Sequence, residues 1–364
     1  MGKNSFHCIL VAGARPNFVK VAPLLRAFDK AEGAECTLVY AGREDDPTLE
    51  PSLFDDLQMR HPDVFLGVDS PRMNEITAQV MSRLDSYLDE HPADVVIVVD
   101  DLASTMAAAI TAKKRGIHVA HLVAGTRSFD INMPKEVNRL VIDALSDYLF
   151  TAGVKSNSVA TREQQTESAQ TFMVGNILMD TLRYNLPRFT PPSTIDLSPS
   201  SYIVLTLNRR VLLSDESQLR QMLQTLVSET ADVAIVAPLR GQALGVVVRL
   251  LTKLGVSSSK FRVVAPLPYL EFGWLMVHAR AIVTDSGNVA EEATFNGVPC
   301  ITLNDYTEHQ ETVTVGTNVL VGSDVAKLSA ALQQLLRGEW KKSALPDRWD
   351  GRSAERIVQI LLNQ

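Results

Sequence analysis

Short β-branched apolar runs alternate with longer polar-periodic segments along the first half of the chain. The apolar runs predict strands at Cys8–Val11, Thr37–Tyr40, Val95–Val99, Val119–Leu122, Tyr148–Thr151 and Phe172–Val174. The intervening segments predict helices at about Phe18–Lys30, Asn74–Glu90, Ser104–Arg115, Lys135–Asp147 and Asn176–Tyr184. This alternation is typical of βαβ units, so we expect residues 1–186 to form a Rossmann-like domain with a mostly parallel sheet.

The pattern breaks where prolines, serines and threonines accumulate, and residues 187–200 are predicted to be a hinge. Strands resume at Tyr202–Leu207, Val233–Ala237, Val263–Ala265, Ala281–Thr284 and Cys300–Leu303. Helices are predicted at Glu216–Glu229, Gln242–Leu254, Val289–Asn296, Ala326–Leu336 and Arg352–Leu362. Residues 201–350 are therefore expected to form a second Rossmann-like domain, and residues 351–364 a helix that packs back on the first.

These predictions describe an α/β protein with two Rossmann-like domains and a cleft between them. In parallel sheets of this kind, ligands bind at the carboxyl ends of the strands. A cleft between two domains is also a common ligand site. Polar residues that directly follow strands are therefore the first candidates for function.

Composition narrows the class of protein. The length of 364 residues suits two domains of ~150–200 residues, and the formal charge of −7 argues against a broad nucleic-acid-binding face. No apolar run approaches the ~20 residues of a membrane helix, and no signal-peptide pattern is visible, so we expect a cytoplasmic protein without a membrane partner. The three scattered cysteines are expected to be buried free thiols rather than a disulfide or metal site: Cys8, Cys36 and Cys300.

The first candidate motif, GARPNFVK, follows the first predicted strand at residues 13–20. Gly13 at a strand-to-helix turn allows close backbone approach, and the helix N-terminus offers N–H groups to an anion. Arg15 and Lys20 add charge suited to a phosphate. Because the motif is neither G-x-G-x-x-G nor a P-loop, a plain turn with solvated basic residues is an equally good interpretation.

The second motif, HLVAGTRSFDINMPKEVNR, spans His121–Arg139. Pro134 signals a first helical turn, and Glu136 and Arg139 are three residues apart, so they share a helix face. Many further charged or polar side chains occupy the same connection: Arg127, Asp130, Lys135 and Asn138. The alternative is a salt-bridged loop before an ordinary helix, in which His121 is structural.

The third motif, TDSGNVAEE, spans Thr284–Glu292. Ser286, Gly287 and Asn288 can present hydroxyl and N–H donors to a phosphate, and Glu291 or Glu292 could reach a ribose diol. A helix N-cap at Asp285 or Ser286 explains the same residues, and both interpretations can hold together.

Other strand ends are polar as well: DYTEHQETVT at Asp305–Thr314, Asp100–Asp101, and Asn208–Arg210. Together these clusters predict a site for a phosphate-bearing sugar, although they do not fix the reaction. The sequence contains neither metal-ligand spacing nor a G-x-S-x-G elbow.

Taken together and in order, the motifs resemble those of the non-hydrolysing UDP-N-acetylglucosamine 2-epimerases. GARPNFVKVAPL resembles the family's G-T-R-P-E-x-x-K-x-A-P, and the second motif resembles H-V-E-A-G-L-R-S-x-D-x-x-M-P-E-E-x-N-R. TDSGNVAEEATFNGVPCITLNDYTEHQETVTVGTNVLVG resembles T-D-S-G-G-x-Q-E-E-A…G-x-P-x-L-x-x-R-x-x-T-E-R-P-E-x-x-x-x-G-T-x-x-L-V-G. The similarity extends through VGNILMDTL to most of the chain. It implies a GT-B-like fold with UDP bound by the second domain.

The resemblance also implies a reaction and a set of residues. In the family, UDP-GlcNAc and UDP-ManNAc interconvert by C2 deprotonation, elimination of UDP and its re-addition, without a cofactor or metal. Asp101 and Glu136 would be catalytic. The UDP-sugar would be bound by Arg15, Lys20, Arg139, Asn208, Phe272, Ser286, Gly287, Glu292 and His309. The resemblance further implies a homodimer.

Several positions depart from the family motifs. Val123 and Lys135 stand where the motifs have glutamates, and Asn208 stands where the family has a histidine. His309, Gln310 and Asn288 replace an arginine, a proline and a glycine. Valine cannot move a proton, and lysine does so only with a depressed pKa. Three hypotheses therefore remain: an epimerase with recruited groups, a catalytically impaired UDP-sugar binder or partner subunit of a polysaccharide pathway, and an altered reaction on another nucleotide sugar.

Overall fold

The computed structural model describes residues 5–49, 51–230 and 232–363. The chain divides into two compact units, the first comprising the chain up to Tyr184 together with the segment from Asp347, and the second comprising Asn185–Pro346. Residues 187–200, for which the sequence predicts a hinge, belong to the second unit. Residues 1–4, 50, 231 and 364, which the predicted domains and C-terminal helix include, lie outside the described residues.

Each unit is built on a parallel sheet. The first contains β1 (Phe6–Ala12), β2 (Ala34–Tyr40), β3 (Val64–Phe65), β4 (Val95–Val99), β5 (His118–Leu122), β6 (Tyr148–Thr151) and β7 (Gln170–Met173). The second contains β8 (Tyr202–Thr206), β9 (Ala234–Pro238), β10 (Phe261–Val264), β11 (Ala281–Thr284), β12 (Cys300–Thr302) and β13 (Asn318–Leu320).

Helices connect the strands, and two short 3-10 helices lie at Arg15–Asn17 and Leu186–Arg188. The α-helices up to the unit boundary are α1 (Phe18–Phe28), α2 (Pro51–Leu57), α3 (Met73–Glu90), α4 (Ala103–Lys114), α5 (Pro134–Leu145), α6 (Val154–Glu163) and α7 (Ile177–Asn185). The remainder are α8 (Arg210–Ser214), α9 (Glu216–Glu229), α10 (Gly241–Leu254), α11 (Tyr269–Val277), α12 (Gly287–Phe295), α13 (Glu311–Thr314), α14 (Val325–Leu336) and α15 (Ser353–Leu362).

The strand order places a switch point in the middle of each sheet. The first sheet has the order β3-β2-β1-β4-β5-β6-β7 and the second β10-β9-β8-β11-β12-β13 among the described residues. Chain direction across the sheet therefore reverses between β1 and β4, and again between β8 and β11, where a ligand-binding crevice opens in such folds. Two Rossmann-like units confirm the predicted fold class, and each switch point brings two polar strand ends side by side.

The strands that flank the first switch point are deeply buried. All five side chains of Val95–Val99 are at most 1% exposed, because helices cover the parallel sheet on both faces. Cys8 and Cys300 are buried and Cys36 is half-buried, and all three are free thiols. The prediction of a buried thiol was therefore wrong for Cys36, which lies on β2 nearer the sheet edge.

Predicted helix and strand ends differ from the observed ones by about one to three residues. Helix α5, for example, was predicted to reach Asp147 but ends at Leu145. The Asp147 carboxylate instead accepts a hydrogen bond from the backbone N–H of Val119 at 2.9 Å and forms an ion pair with Lys113 at 2.6 Å. These contacts hold the start of β6 beside the start of β5.

The end of the chain is docked on the first unit. Helix α15 packs against α1, and the buried indole of Trp349 donates a hydrogen bond to the carbonyl of Ala152 at 2.9 Å. The carboxylate of Asp180 caps α15 by accepting the N–H groups of Ser353 at 3.1 Å and Ala354 at 2.8 Å. Burial raises the pKa of Asp180 to about 6 in spite of these hydrogen bonds.

Candidate functional site

Lys20 and Asp100 form a nearly buried ion pair beside the switch point of the first sheet. The ammonium of Lys20 lies 2.5 Å from Oδ1 of Asp100, and Asn17 Nδ2 donates to Oδ2 at 2.9 Å. Oδ1 of Asn17 accepts the backbone N–H groups of Gly13 at 2.9 Å and Ala14 at 3.1 Å, and so closes the turn after β1. The sequence predicts Lys20 as a phosphate ligand, but its charge is already compensated by Asp100.

Gly13 is required for packing within the protein. A Cβ at this position would lie 2.1 Å from Oγ of Ser104, at the start of α4. The close approach that the sequence suggests for a ligand is therefore made to another helix. Arg15 follows in the 3-10 turn and is half-buried.

Asp101, at the carboxyl end of β4, is held between two cations. Oδ2 accepts hydrogen bonds from Arg139, at 2.8 Å from Nε and 2.6 Å from Nη2, and Oδ1 lies 3.2 Å from Nζ of Lys135. Burial would raise the pKa of Asp101, but the charges of Lys135 and Arg139 outweigh it and the pKa is lowered. Asp101 is therefore a carboxylate at neutral pH, as a general base must be.

Glu136 fastens the loop before α5. Its Oε2 accepts the N–H of Ser128 at 2.8 Å and the hydroxyl of the same residue at 2.9 Å, and Oε1 accepts the N–H of Phe129 at 3.2 Å. Burial acts to raise the pKa of Glu136, but these bonds and the charge of Arg139 lower it. With its lone pairs engaged, Glu136 is placed to shape the loop and to orient Arg139 rather than to take a proton.

His121 belongs to a network with Asp143, Arg127 and Glu163, in which all side chains but that of Glu163 are buried. Its Nδ1 lies 2.5 Å from Oδ1 of Asp143 and its Nε2 lies 2.9 Å from the carbonyl oxygen of Asp100. Arg127 reaches the other oxygen of Asp143 at 2.7 Å and Glu163 at 2.9 Å. Both ring nitrogens are thus engaged, which supports the structural interpretation of His121.

Val123 occupies the end of β5 in a conformation that valine rarely adopts. Its φ is +74°, in the left-handed region, where a β-branched side chain is strained. Its backbone N–H donates to the carbonyl of Phe150 at 3.1 Å. The apolar Val123 thus follows β5, which is the neighbour of β4, the strand that precedes Asp101.

The second switch point is organised by a buried aspartate, Asp285. Its carboxylate accepts the N–H of Asn208, with distances of 3.0 and 2.8 Å to the two oxygens, and the N–H of Arg209 at 2.8 Å. These bonds bind the end of β8 to the end of β11. Asn208 is thereby positioned through its backbone, beside the start of α12.

The N-terminus of α12 presents free polar groups at this edge. Ser286 is the N-cap residue, but its side chain makes no capping hydrogen bond. Gly287 begins the helix, and a Cβ there would meet no atom within 4 Å. An open helix N-terminus with a spare hydroxyl is suited to an oxyanion.

Two glutamates lie further along α12, and a histidine from the segment before α13 contacts the first of them. Nδ1 of His309 is 3.2 Å from Oε1 of the buried Glu291. Burial and the neighbouring charge of Glu291 raise the pKa of the half-buried Glu292 to about 8. Glu292 therefore carries a proton through much of the neutral range and can donate as well as accept hydrogen bonds.

The predicted site residues thus fall into two sets. The first unit carries Arg15 and Lys20 after β1 and brings together Asp101, Lys135, Glu136 and Arg139, with Val123 after the adjacent strand. The second unit gathers Asn208, Ser286, Gly287, Glu292 and His309. Phe272, on α11, is half-buried and packs against the core that includes Ala290 of α12.

The sequence interpretation missed two residues that position the predicted site residues, Asn17 and Asp143. It named Asp285 only as a possible helix cap and missed its bonds to the end of β8. A sequence signal for Asp143 exists, because Glu136, Arg139 and Asp143 recur at helical spacing. In the structure all three are buried. A buried charged face is unusual and indicates a paired network. No comparable signal marks Asn17, whose partners come from the turn itself and from residue 100.

Across residues 5–49, 51–230 and 232–363, no helix is long and apolar enough to cross a bilayer. Over the same ranges, His, Cys, Asp and Glu do not form a group of three or more that could hold a metal ion.

The fold and these strand edges define a two-unit α/β protein of the nucleotide-binding type. A family model described as UDP-N-acetylglucosamine 2-epimerase matches residues 26–362. The UDP-N-acetylglucosamine 2-epimerase of Methanocaldococcus jannaschii is 33% identical, over 97% of this chain and 98% of that protein. This chain therefore belongs to the UDP-N-acetylglucosamine 2-epimerase family, as its motifs predict.

Solved structures agree with this assignment. The crystal structure of the Methanocaldococcus jannaschii enzyme in complex with UDP-GlcNAc and UDP has a TM-score of 0.84 at 32% identity, covering 99% of this chain and 100% of that one. The Neisseria meningitidis enzyme bound to UDP-GlcNAc has a TM-score of 0.88 at 26% identity, with coverage of 99% and 100%. A UDP-2,3-diacetamido-2,3-dideoxy-D-glucuronate 2-epimerase of Pseudomonas aeruginosa is 32% identical over 86% of this chain and 88% of that protein.

Proposed function

We propose that the protein is a UDP-N-acetylhexosamine 2-epimerase that interconverts UDP-GlcNAc and UDP-ManNAc. The observation that carries this proposal is the ionised Asp101 at the end of β4, held at both oxygens by cations. In the proposed reaction its carboxylate takes the proton from C2 of the sugar, the C–H electron pair forms a C1–C2 double bond, and UDP leaves C1. UDP re-addition with protonation on the other face completes the inversion.

Binding of the nucleotide is assigned to the second unit. The open N-terminus of α12 with Ser286 and Gly287 suits a diphosphate, which carries the charge of the leaving group. Glu292 is proposed to hydrogen-bond the ribose, with Phe272 beside the base and Asn208 and His309 near the phosphates. In the first unit, Arg15 is proposed to supply positive charge. Lys20 and Arg139 are proposed to contact the UDP-sugar while they stay paired with Asp100 and Asp101, and Glu136 orients Arg139.

A second candidate is a UDP-sugar binder that has lost the reaction, because the end of β5 carries the apolar Val123. If C2 is inverted, a second group must act on the opposite face of the sugar ring from Asp101. Lys135 cannot be that group while its ammonium stays 3.2 Å from the Asp101 carboxylate. The two candidate functions therefore differ in whether a second proton-transfer group acts on the sugar face opposite Asp101.

One experiment separates the candidates. The protein is incubated with UDP-GlcNAc in D2O and followed by proton NMR, with Asp101→Asn as the test variant and the exposed Asp69→Asn as its control. Deuterium at C2 with a manno product, lost in Asp101→Asn and kept in Asp69→Asn, is the expected result. Saturable binding without exchange would support the silent binder, and net release of free UDP would support an altered reaction.

The sugar is tested in the same assay with UDP-HexNAc substrates that include a 2,3-diacetamido glucuronate, the substrate class named for the Pseudomonas aeruginosa relative. Exchange with the glucuronate alone would replace UDP-GlcNAc as the proposed substrate. The cytoplasmic location, the homodimer and the polysaccharide pathway remain predictions from the sequence.

A further inference from the structure

The two oxygens of Asp101 have different partners. Arg139 occupies Oδ2 through two nitrogens, at 2.8 and 2.6 Å, whereas the partner of Oδ1 among the described residues is Lys135, at 3.2 Å. Nδ2 of Asn138 donates to the backbone carbonyl of Asp101 at 2.8 Å, so the residue is also fixed through its main chain. All three partners come from the first two turns of α5.

The two cations also differ in exposure. The Arg139 side chain is 6% exposed and that of Lys135 is 65% exposed, against 11% for Asp101. Arg139 is therefore a fixed part of the core, while Lys135 covers Asp101 from the solvent side. An ion pair with so exposed a partner contributes ~1 kcal/mol or less to stability, so Lys135 can be replaced without loss of the fold.

The charges that face Asp101 balance only when Lys135 is counted. From α5 come Lys135, Arg139 and Glu136, the last 3.3 Å from Arg139. From the end of β4 itself and from α1 come Asp100 and Lys20, which neutralise each other. The nearby His121 bonds the carbonyl of Asp100, and its own network with Asp143, Arg127 and Glu163 contains partners of both signs.

We propose that Lys135 is a positioning residue that keeps Asp101 ionised and thereby sets the lower pH limit of proton removal from C2. The proposal rests on the proposed function for its place in the reaction. Its direction is supported by the pKa of Asp101, which burial would raise and which Lys135 and then Arg139 lower. Because Lys135 lies at Oδ1, that oxygen is accessible to the C2 proton once the flexible ammonium moves aside.

The test compares pH profiles of kcat/KM for C2 proton exchange in Lys135→Met, Lys135→Arg and Lys114→Met. Lys114, at the exposed end of α4, is the matched control. We expect the acid limb of the profile to move to higher pH in Lys135→Met and to stay in place in the other two variants. At pH values above that limb, kcat/KM of Lys135→Met should fall by a smaller factor than on the limb itself. A limb that does not move, or a loss that is uniform across pH, would overturn the proposal.

A second measurement keeps the inference testable if the protein turns over no UDP-HexNAc. The carboxyl carbons of aspartate are labelled with 13C, the Asp101 signal is assigned from its loss in Asp101→Asn, and it is titrated in each variant. We expect the midpoint to rise in Lys135→Met and not in Lys114→Met. An unchanged midpoint would refute the role of Lys135 whatever the activity, while a raised midpoint without turnover would refute only the proposed function.

Discussion

The Lys20 ammonium and the Asp100 carboxylate lie 2.5 Å apart, with 9% and 18% of their side chains exposed. Asp100 has φ +60°, a conformation that asparagine also tolerates. Asp100→Asn should therefore keep the turn but remove the carboxylate that pairs with a nearly buried ammonium, at a cost of ~3 kcal/mol in the free energy of unfolding.

Urea unfolding measures this cost, with Asp69→Asn as the control. Asp69 also pairs with a cation, Arg43 at 3.0 Å, but its side chain is 69% exposed. Its loss should change stability by no more than ~0.5 kcal/mol. Equal effects of the two variants would show that the Lys20–Asp100 pair does not stabilise the first unit.

Much of the fold could be predicted because its signals are local. Parallel strands buried on both faces appear as short apolar runs, and each predicted strand and helix lies within a few residues of an observed one. Helix α6, with the sequence VKSNSVATRE, was missed because few apolar positions mark its inner face. Helix α11, YLEFGWLMV, was missed for the opposite reason, since its apolar residues surround the helix and show no period.

The site was predicted less completely, because its chemistry depends on pairs that are distant in sequence. Strand-end positions placed Asp101 and Asn208 correctly at the switch points. The sequence could not show that Lys20 would form an ion pair with a residue eighty positions away. Nor could it show that the Glu136 carboxylate would accept hydrogen bonds from backbone N–H groups. The Lys20–Asp100 pair arises only when parallel strands bring their carboxyl ends together, and the Glu136 contacts only when the loop before α5 folds back on that helix.

Because the backbone at Val123 is strained, replacing this residue with glycine should stabilise the protein, whereas most such replacements destabilise it. Its φ of +74° suits glycine, so Val123→Gly should raise the free energy of unfolding by ~1 kcal/mol. Val137 is the matched control, since it is 41% exposed inside α5, where Val137→Gly should lower stability by ~0.5 kcal/mol. Destabilisation by both variants would mean that packing at Val123 outweighs the relief of strain.

Glu292 should make stability depend on pH in the direction opposite to an ordinary surface glutamate. Its pKa is raised from 4.5 to about 8 by burial and by Glu291, so the folded protein binds this proton more tightly than the unfolded chain. The stabilisation is complete below pH 4.5 and is lost as pH rises through about 8. Relative to Glu292→Gln, the free energy of unfolding of the wild-type protein should fall by on the order of 2 kcal/mol over this window. This value is smaller than the full pKa shift would give, because solvent screens the half-buried side chain.

Melting temperatures of the two proteins from pH 4 to 9 test this expectation. Glu339→Gln serves as the control, because Glu339 is exposed and pairs only with the exposed Arg337 in the described structure. Its difference from wild type should not change with pH across the neutral range. Parallel curves for wild type and Glu292→Gln would show that Glu292 is ionised in the folded protein.

Trp349 should be the dominant anchor of the C-terminal segment on the first unit. It is 1% exposed, and its indole N–H is bonded to the carbonyl of Ala152 at 2.9 Å. Trp349→Phe should cost ~1–3 kcal/mol, because it leaves that buried carbonyl without its donor. Trp349→Ala should cost ~3–5 kcal/mol, because it also creates a cavity.

Hydrogen exchange distinguishes loss of this anchor from general unfolding. In Trp349→Ala, exchange should accelerate in α15 and in α1, on which it packs, while β8 and β11 of the second unit keep their protection. Because Asp180 caps α15 through two N–H groups, Asp180→Ala should accelerate exchange in α15 as well, by a smaller factor. Equal acceleration in both units would mean that they unfold as one cooperative body, and that the docking of α15 is not a local event.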